Sequence, residues 1–558
     1  MSMLRYNISE KHLQKTHHRF MFLISIIFAS WTFGNVVTSS IMSLTSVDTT
    51  TTVTVNNSGP TFTVTPAESP ASTGTSPTNV GSNVTFNGTG TDINGDHYYL
   101  ALCRTDSITA RTNNSPLCDT NQTLCVSGST VTGTQATCNY TALIGDTETV
   151  DWYAFVCDHS SGSQCSVSAQ GTGDSGSPFN VNHKSIFTSL TPGSAVDPGQ
   201  DMSFDAVGQD DDVDTTQDSV HLIVCSVAGA TSSGCTNPVN QLCSSSNVTN
   251  DPSCLYSTPS VFARGSHNYY SYLFDQHGLG SASNPRSGTY SINNMAPSLS
   301  NLSLNSGNPI NLVVSTTTAV HLTFRLTDYN GYGDIASTST KLYRTGVGVG
   351  AGDNANNHYT VTSCSLSNQS GASADYNCTF NLQFHADPTD VSNTQYYTDN
   401  WTGTATLTDG GSLQATDSAT PVELNSLLGI TLNANIDYGS MSPGGNTGST
   451  NQEIITSSVG NTGLDTLIQG TSMTDGNGNY IPVENQKYDL AGFTYSSGGT
   501  ALSGLDEPLA LHVTKTITTG SPGNKKIYWG IEIPSVLSAG NYTGTNTVTA
   551  EVSNIANW

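Results

Sequence analysis

Hydrophobic and polar residues alternate in short runs along most of the chain. Val84-Thr85-Phe86 and Met202-Ser203-Phe204 show the period of two expected of half-buried strands. Two denser runs, Tyr98-Tyr99-Leu100-Ala101-Leu102-Cys103 and Val220-His221-Leu222-Ile223-Val224-Cys225, each end in cysteine and predict central strands. Trp152–Asp158, Tyr269–Asp275, His321–Asp328 and Ile527–Ile533 add further strands, and in the last of these the isoleucines and Trp529 share one face. Thr547–Val552 reads as a strand near the C-terminus. Glycine and proline punctuate these runs, and no sustained helical period follows the N-terminal apolar segment. The pattern predicts an all-β chain of sandwich domains.

The runs repeat. Cys103, Cys118, Cys125 and Cys138 match Cys225, Cys235, Cys243 and Cys254. Trp152–Asp158 matches Tyr269–Asp275. The offset is 122 residues from Cys103 to Cys225 and 117 from Tyr153 to Tyr270, a domain-sized period. A third segment opens Asn294-Met295-Ala296-Pro297, much as the first opens Asn57-Ser58-Gly59-Pro60. The expected organisation is a signal or anchor over 1–39 and a Ser/Thr-rich spacer over 40–58. Sandwiches then follow over 59–183, 184–294, 295–424 and 425–558.

Composition narrows the class. Charged residues make up 10% and hydrophobic residues 35%, so Ser, Thr, Asn and Gly supply strand faces and turns. The formal charge is −26, and four of the sixteen Lys and Arg lie before Phe20. Such a surface repels a phosphate backbone, which excludes nucleic acid as the expected partner. It favours solubility and leaves room for cations.

A basic stretch followed by Phe20–Ala29 has the layout of a secretory signal, with small residues at Gly34 and Ser39. Extended to Val37, the same run could serve as an uncleaved N-terminal anchor. Either reading exports everything downstream. No second apolar run or sorting motif follows, so membrane attachment is expected only through this segment.

Twelve cysteines in an exported chain read as disulfides. Cys157 and Cys165 have no counterpart in the second repeat, where Phe274 and Ala282 stand, so they are expected to pair with each other. Cys364 and Cys378 are expected to pair likewise. The remaining sets of four allow three connectivities each. The preferred ones are Cys103–Cys138 with Cys118–Cys125, and Cys225–Cys254 with Cys235–Cys243. Zinc is the rival reading, weakened by the lack of any Cys-x-x-Cys.

Acidic turns carry the clearest chemical hint. Asp92, Asn94 and Asp96 alternate, as do Asp210, Asp212 and Asp214, and Asp328 and Asn330 with Asp334 following. Alternating oxygens at a bend can converge on structural Ca²⁺, although Asp, Asn and Gly also simply build turns. Gly173-Asp174-Ser175-Gly176 resembles the nucleophile loop of trypsin-like proteases, but the second repeat has Asn284-Pro285-Arg286-Ser287-Gly288 there. It reads as a Gly/Ser loop, because a triad needs all its roles filled. Trp152 and Trp529 lie in alternating strands and are expected in cores; Trp401 and Trp558 are less constrained and could stack on sugars. Catalytic residues and organic cofactors are not expected.

The run Gly95-Asp96-His97-Tyr98-Tyr99-Leu100-Ala101-Leu102-Cys103, then Trp152-Tyr153-Ala154-Phe155-Val156-Cys157-Asp158, resembles exported multidomain proteins of small-genome candidate-phylum bacteria. The closing Tyr528-Trp529-Gly530-Ile531 and Ala539-Gly540-Asn541-Tyr542-Thr543-Gly544 are similar to the end of a recurring surface sandwich. The resemblance implies tandem immunoglobulin- or fibronectin III-like modules at a cell surface and carries no catalytic residues. Three functions follow as expectations: an adhesive or structural surface protein, a carbohydrate-binding or hydrolytic secreted protein, and a self-assembling filament subunit. The expected partners are the cell envelope or a neighbouring cell surface, glycans, or a second copy.

Overall fold

A computed structural model describes residues 49–212, 217–390, 392 and 394–558. The signal or anchor segment and residues 40–48 of the spacer lie outside the described residues, as does Asp214. The chain divides into Met1–Asn56 and Asn57–Trp558, and the described part of the first unit forms no strand or helix.

The second unit is all-β and consists of β-sandwiches, with only short 3-10 turns besides strands among the described residues. In the first sandwich, Thr61–Glu68, Asn83–Thr91 and Gln135–Thr141 pair in one sheet. Tyr153–Asp158, Tyr98–Cys103 and Thr123–Val126 pair in the facing one. The second sandwich repeats this with Ile186–Pro192, Asp201–Gln209 and Ser253–Ser257 against a four-stranded sheet. That sheet holds Gln241–Ser244, Val220–Cys225, Gly265–Asp275 and Arg286–Ile292. The third packs two four-stranded sheets around Thr317–Thr327 and Trp401–Asp409, and the fourth a five-stranded sheet on a three-stranded one.

The alternation seen in the sequence sets which face is buried. Val84 and Phe86 from one sheet meet Tyr98, Leu100 and Leu102 from the other, and Trp152 closes the core. Met202, Phe204, Leu222 and Val224 hold the same places in the second sandwich. Ile527, Trp529 and Ile531 are buried together in the fourth. Trp401, weakly constrained by sequence, is fully buried in the third core; its Nε1 donates to the Asp387 carbonyl at 2.9 Å. Ser175 stands on a short 3-10 turn.

All twelve cysteines pair. Cys157–Cys165 and Cys364–Cys378 form as read, but the other four bonds are Cys103–Cys118, Cys125–Cys138, Cys225–Cys235 and Cys243–Cys254. The expected Cys103–Cys138, Cys118–Cys125, Cys225–Cys254 and Cys235–Cys243 do not form. Strand parity is the reason. In Tyr98–Cys103 the even positions face the sandwich interior, so Cys103 emerges on the outer face beside Cys118 and Phe155. Cys138, with Ala136 and Tyr140, faces the interior and meets Cys125. A Cys103–Cys138 bond would have to cross the sheet. Cys225 and Cys235 lie outside, and Cys243 and Cys254 inside, in the second copy.

One buried acid lies within the first core. Glu68 accepts from Trp152 Nε1 at 2.8 Å and from the Ser72 backbone N–H at 2.7 Å. Burial pushes its carboxyl up to about 7, against the pull of those two donors. A carboxyl whose folded pKa lies above its unfolded value stabilises fully below about 4.5 and loses that contribution as pH rises through about 7. The first sandwich is therefore expected to weaken between these pH values. In Glu68→Gln that slope disappears, read as the urea midpoint at pH 5 and at pH 8; an unchanged slope contradicts this assignment.

Candidate functional site

The acidic turns fall at corresponding places in three sandwiches, where the chain enters each one. In each turn the first aspartate caps the residue two positions on. Asp92 Oδ1 accepts from the Asn94 N–H at 2.7 Å, Asp210 Oδ1 from the Asp212 N–H at 3.1 Å, and Asp328 Oδ1 from the Asn330 N–H at 2.8 Å. This is the Asx-turn chemistry that such residues provide locally. The capped residue then receives the incoming chain. Ser58 N–H donates to Asn94 Oδ1 at 2.9 Å, His183 N–H to Asp212 Oδ2 at 2.5 Å, and Met295 N–H to Asn330 Oδ1 at 2.6 Å.

A second aspartate completes each junction from the neighbouring hairpin: Asp158, Asp275 and Asp409, each ending a strand. Asp275 Oδ1 accepts from the N–H groups of His277 and Leu279, and Asp409 Oδ1 from those of Gly411 and Leu413, the same i+2 and i+4 positions. Their other oxygens take an asparagine from the entering chain. Asn182 Nδ2 donates to Asp275 Oδ2 and Asn294 Nδ2 to Asp409 Oδ2, both at 3.0 Å, and Asn57 Nδ2 donates to Asp158 Oδ2. At the third junction Gly411 allows this close approach: a Cβ there would stand 2.2 Å from Asn294 Nδ2.

These contacts leave particular oxygens over. Asp92 Oδ2, Asp210 Oδ2 and Asp328 Oδ2 are buried and lack a hydrogen-bond partner, as are Asn182 Oδ1 and Asn294 Oδ1. Asn182 cannot turn its oxygen inward cheaply, because its Nδ2 also donates to Asn79 Oδ1 at 2.8 Å. Burial raises the Asp210 carboxyl to about 7, and the charges of Asp212, Asp275 and Asp218 add to the rise. Burial likewise raises Asp275 and Asp328. In the third junction, carboxylate oxygens of Asp328, Asp334 and Asp409 lie within 4.8 Å of one another. The set is all oxygen and net negative, which suits a hard cation rather than a catalytic acid–base pair.

Not every sequence candidate joins the cluster. Asp334 is taken by Arg264, whose Nε donates to both carboxylate oxygens at 3.0 and 2.9 Å. Asn330 uses its amide nitrogen on the Phe262 and Asn293 carbonyls. Asp212 also faces His183 Nδ1 at 3.0 Å. Asp96 is half-buried beyond the capped turn. Sequence reasoning missed Asp158, Asp275 and Asp409, and Asn57, Asn182 and Asn294. The signal was present: Asp158 and Asp275 close matched strands, and Asn57 and Asn294 open matched segments.

No family model matches the sequence, and no curated protein matches it. Among solved structures, a tetra-tandem repeat in the extending region of a large adhesion protein is similar at 12% identity and TM-score 0.28, covering 85% of this chain and 96% of that one. A marsupial T cell receptor is similar at 13% identity and TM-score 0.26, covering 61% and 96%. The fibronectin(III)-like modules of Clostridium thermocellum CbhA are similar at 11% identity and TM-score 0.19, covering 42% and 93%. At these TM-scores the likenesses carry no argument about function.

Proposed function

We propose that the chain is an exported, non-catalytic surface protein, adhesive or structural, of the kind its sequence resembles in small-genome bacteria. The observation that carries this reading is the disulfide set. Six bonds use every cysteine, and each closes a loop within one sandwich. Such bonds persist in oxidising compartments. They clamp the first three sandwiches, whose cores are built separately from consecutive stretches of chain. Labelling of intact cells with an antibody to the third sandwich is expected to succeed without permeabilisation; labelling only after permeabilisation contradicts export. A panel of polymer substrates given to the purified chain is expected to show no turnover, and turnover of any of them contradicts the non-catalytic reading.

The filament reading has its own support. Asn546–Val552 is an edge strand, paired through Leu464–Gly470 on one side only among the described strands. An edge of this kind can add to the sheet of a second copy. Concentration-dependent assembly of the purified chain, lost on Val548→Pro, is the outcome that reading predicts.

A further inference from the structure

We propose that a calcium ion binds at the second and third junctions, held by Asp210, Asn182 and Asp275 at one and by Asp328, Asn294 and Asp409 at the other. This does not depend on the surface role above. Each junction buries two oxygens with no donor, Asp210 Oδ2 with Asn182 Oδ1 and Asp328 Oδ2 with Asn294 Oδ1. Buried polar atoms are normally satisfied, and here every unsatisfied atom is an acceptor, so the missing partner is a donor or a cation. The surroundings supply more negative charge, which selects the cation. Asp210 is 1% exposed and Asp328 is fully buried, so neither charge is relieved by solvent.

The spacing fits the ion. Ligands on opposite sides of calcium stand about twice a bond of roughly 2.4 Å apart. At the third junction one carboxylate oxygen each of Asp328 and Asp409, with one of the neighbouring Asp334, fall within 4.8 Å of one another. Magnesium holds shorter bonds and keeps several waters, which suits a set of protein oxygens less well. The cations the chain itself brings pair with neighbouring carboxylates, Arg264 with Asp334, His183 with Asp212 and His277 with Asp218, and none is hydrogen-bonded to the unsatisfied oxygens of Asp210 or Asp328.

The fourth sandwich is an internal contrast. Asn461 there does what Asn330 does in the third: its Oδ1 accepts from the Leu427 N–H and its Nδ2 donates to the Asn425 carbonyl. Two residues before Asn461, however, stands Val459, where Asp328 precedes Asn330. The hydrogen-bonded entry is kept and the charged ligand is gone. Calcium is therefore assigned to the second and third junctions and not to the fourth. Asn182 ends a strand of the first sandwich, and Asn294 follows the last strand of the second, so each ion ties two successive sandwiches together.

Equilibrium dialysis of the full chain against calcium chloride, after stripping with EGTA, tests the assignment. Asp210→Asn and Asp328→Asn are each expected to lose one bound calcium, and the double variant two. Melting supplies a second readout. Calcium should raise the melting temperature of the wild type and leave the double variant unmoved. In EGTA the double variant should melt at or above the wild type, because two buried charges are gone. If a variant fails to melt cooperatively, Asn182→Ala and Asn294→Ala replace it, with the same losses expected. Equal calcium binding by the wild type and the double variant overturns the proposal, as does a wild type that neither binds calcium nor shifts.

Discussion

Asp387→Ala is expected to destabilise the third and fourth sandwiches by about 3–5 kcal/mol, the cost of stripping one partner from a buried ion pair. Asp387 is 2% exposed. Its Oδ2 accepts from Arg344 Nε at 3.2 Å and its Oδ1 from Lys515 Nζ at 2.5 Å. Arg344 ends a strand of the third sandwich, and Lys515 follows a strand of the fourth. Burial already holds the Lys515 ammonium below its ordinary pKa, against the pull of Asp387. Without Asp387, Arg344 keeps Asp399 and the Tyr396 ring, 3.7 Å below its guanidinium. Lys515 is the group left uncompensated. Adding Lys515→Met should therefore recover most of the loss, since an apolar replacement of a buried pair is often neutral or better. Urea unfolding of the single and double variants checks this. A single variant within 1 kcal/mol of the wild type, or a double variant no better than the single, contradicts the assignment.

Trp152→Ala should cost the first sandwich about 3–5 kcal/mol, the usual range for deleting a fully buried tryptophan. The indole is fully buried and packs edge-on against Phe86, with ring centroids 5.3 Å apart. Its loss opens a cavity between the sheets and removes one of the two donors that hold Glu68. Trp152→Phe keeps one ring's worth of packing and loses the Nε1 donor with the rest of the indole, so it should fall between the wild type and alanine. Denaturant midpoints of the three proteins decide the order. Equal stability of the alanine and phenylalanine variants contradicts the packing account.

Strand positions were legible because they rest on local pattern. Tyr98–Cys103 and Val220–Cys225 run in the structure between the residues at which the sequence places them. The duplication was legible for the same reason, since matched strands keep matched cysteines. Disulfide partners were not, because pairing depends on which face of a strand a cysteine leaves from. The parity of Leu222, Val224 and Cys225 holds that information, but choosing among connectivities also requires knowing which sheet faces which. The acidic turns were half legible. Spacing marked Asp92, Asp210 and Asp328, yet their alternate neighbours Asn94, Asp212 and Asn330 are spent on the entering chain. The aspartates that complete each cluster come from some 65 to 81 residues away, as with Asp275 beside Asp210 and Asp409 beside Asp328. Long-range pairings of that kind lie beyond any local reading. Trp401 belongs to the same class: its burial follows from the packing of two sheets.

Hydrogen exchange read by mass spectrometry, on the whole chain in calcium chloride and in EGTA, tests the repeated junction most directly. Calcium is predicted to slow exchange at the N–H groups of His183, Asp212, His277 and Leu279, and of Met295, Asn330, Gly411 and Leu413, all of which donate to the clustered side chains. The equivalent N–H of Leu427, which enters the fourth sandwich through Asn461, should not change. Protection unaltered by calcium at the second and third junctions, or an equal gain at Leu427, contradicts the account.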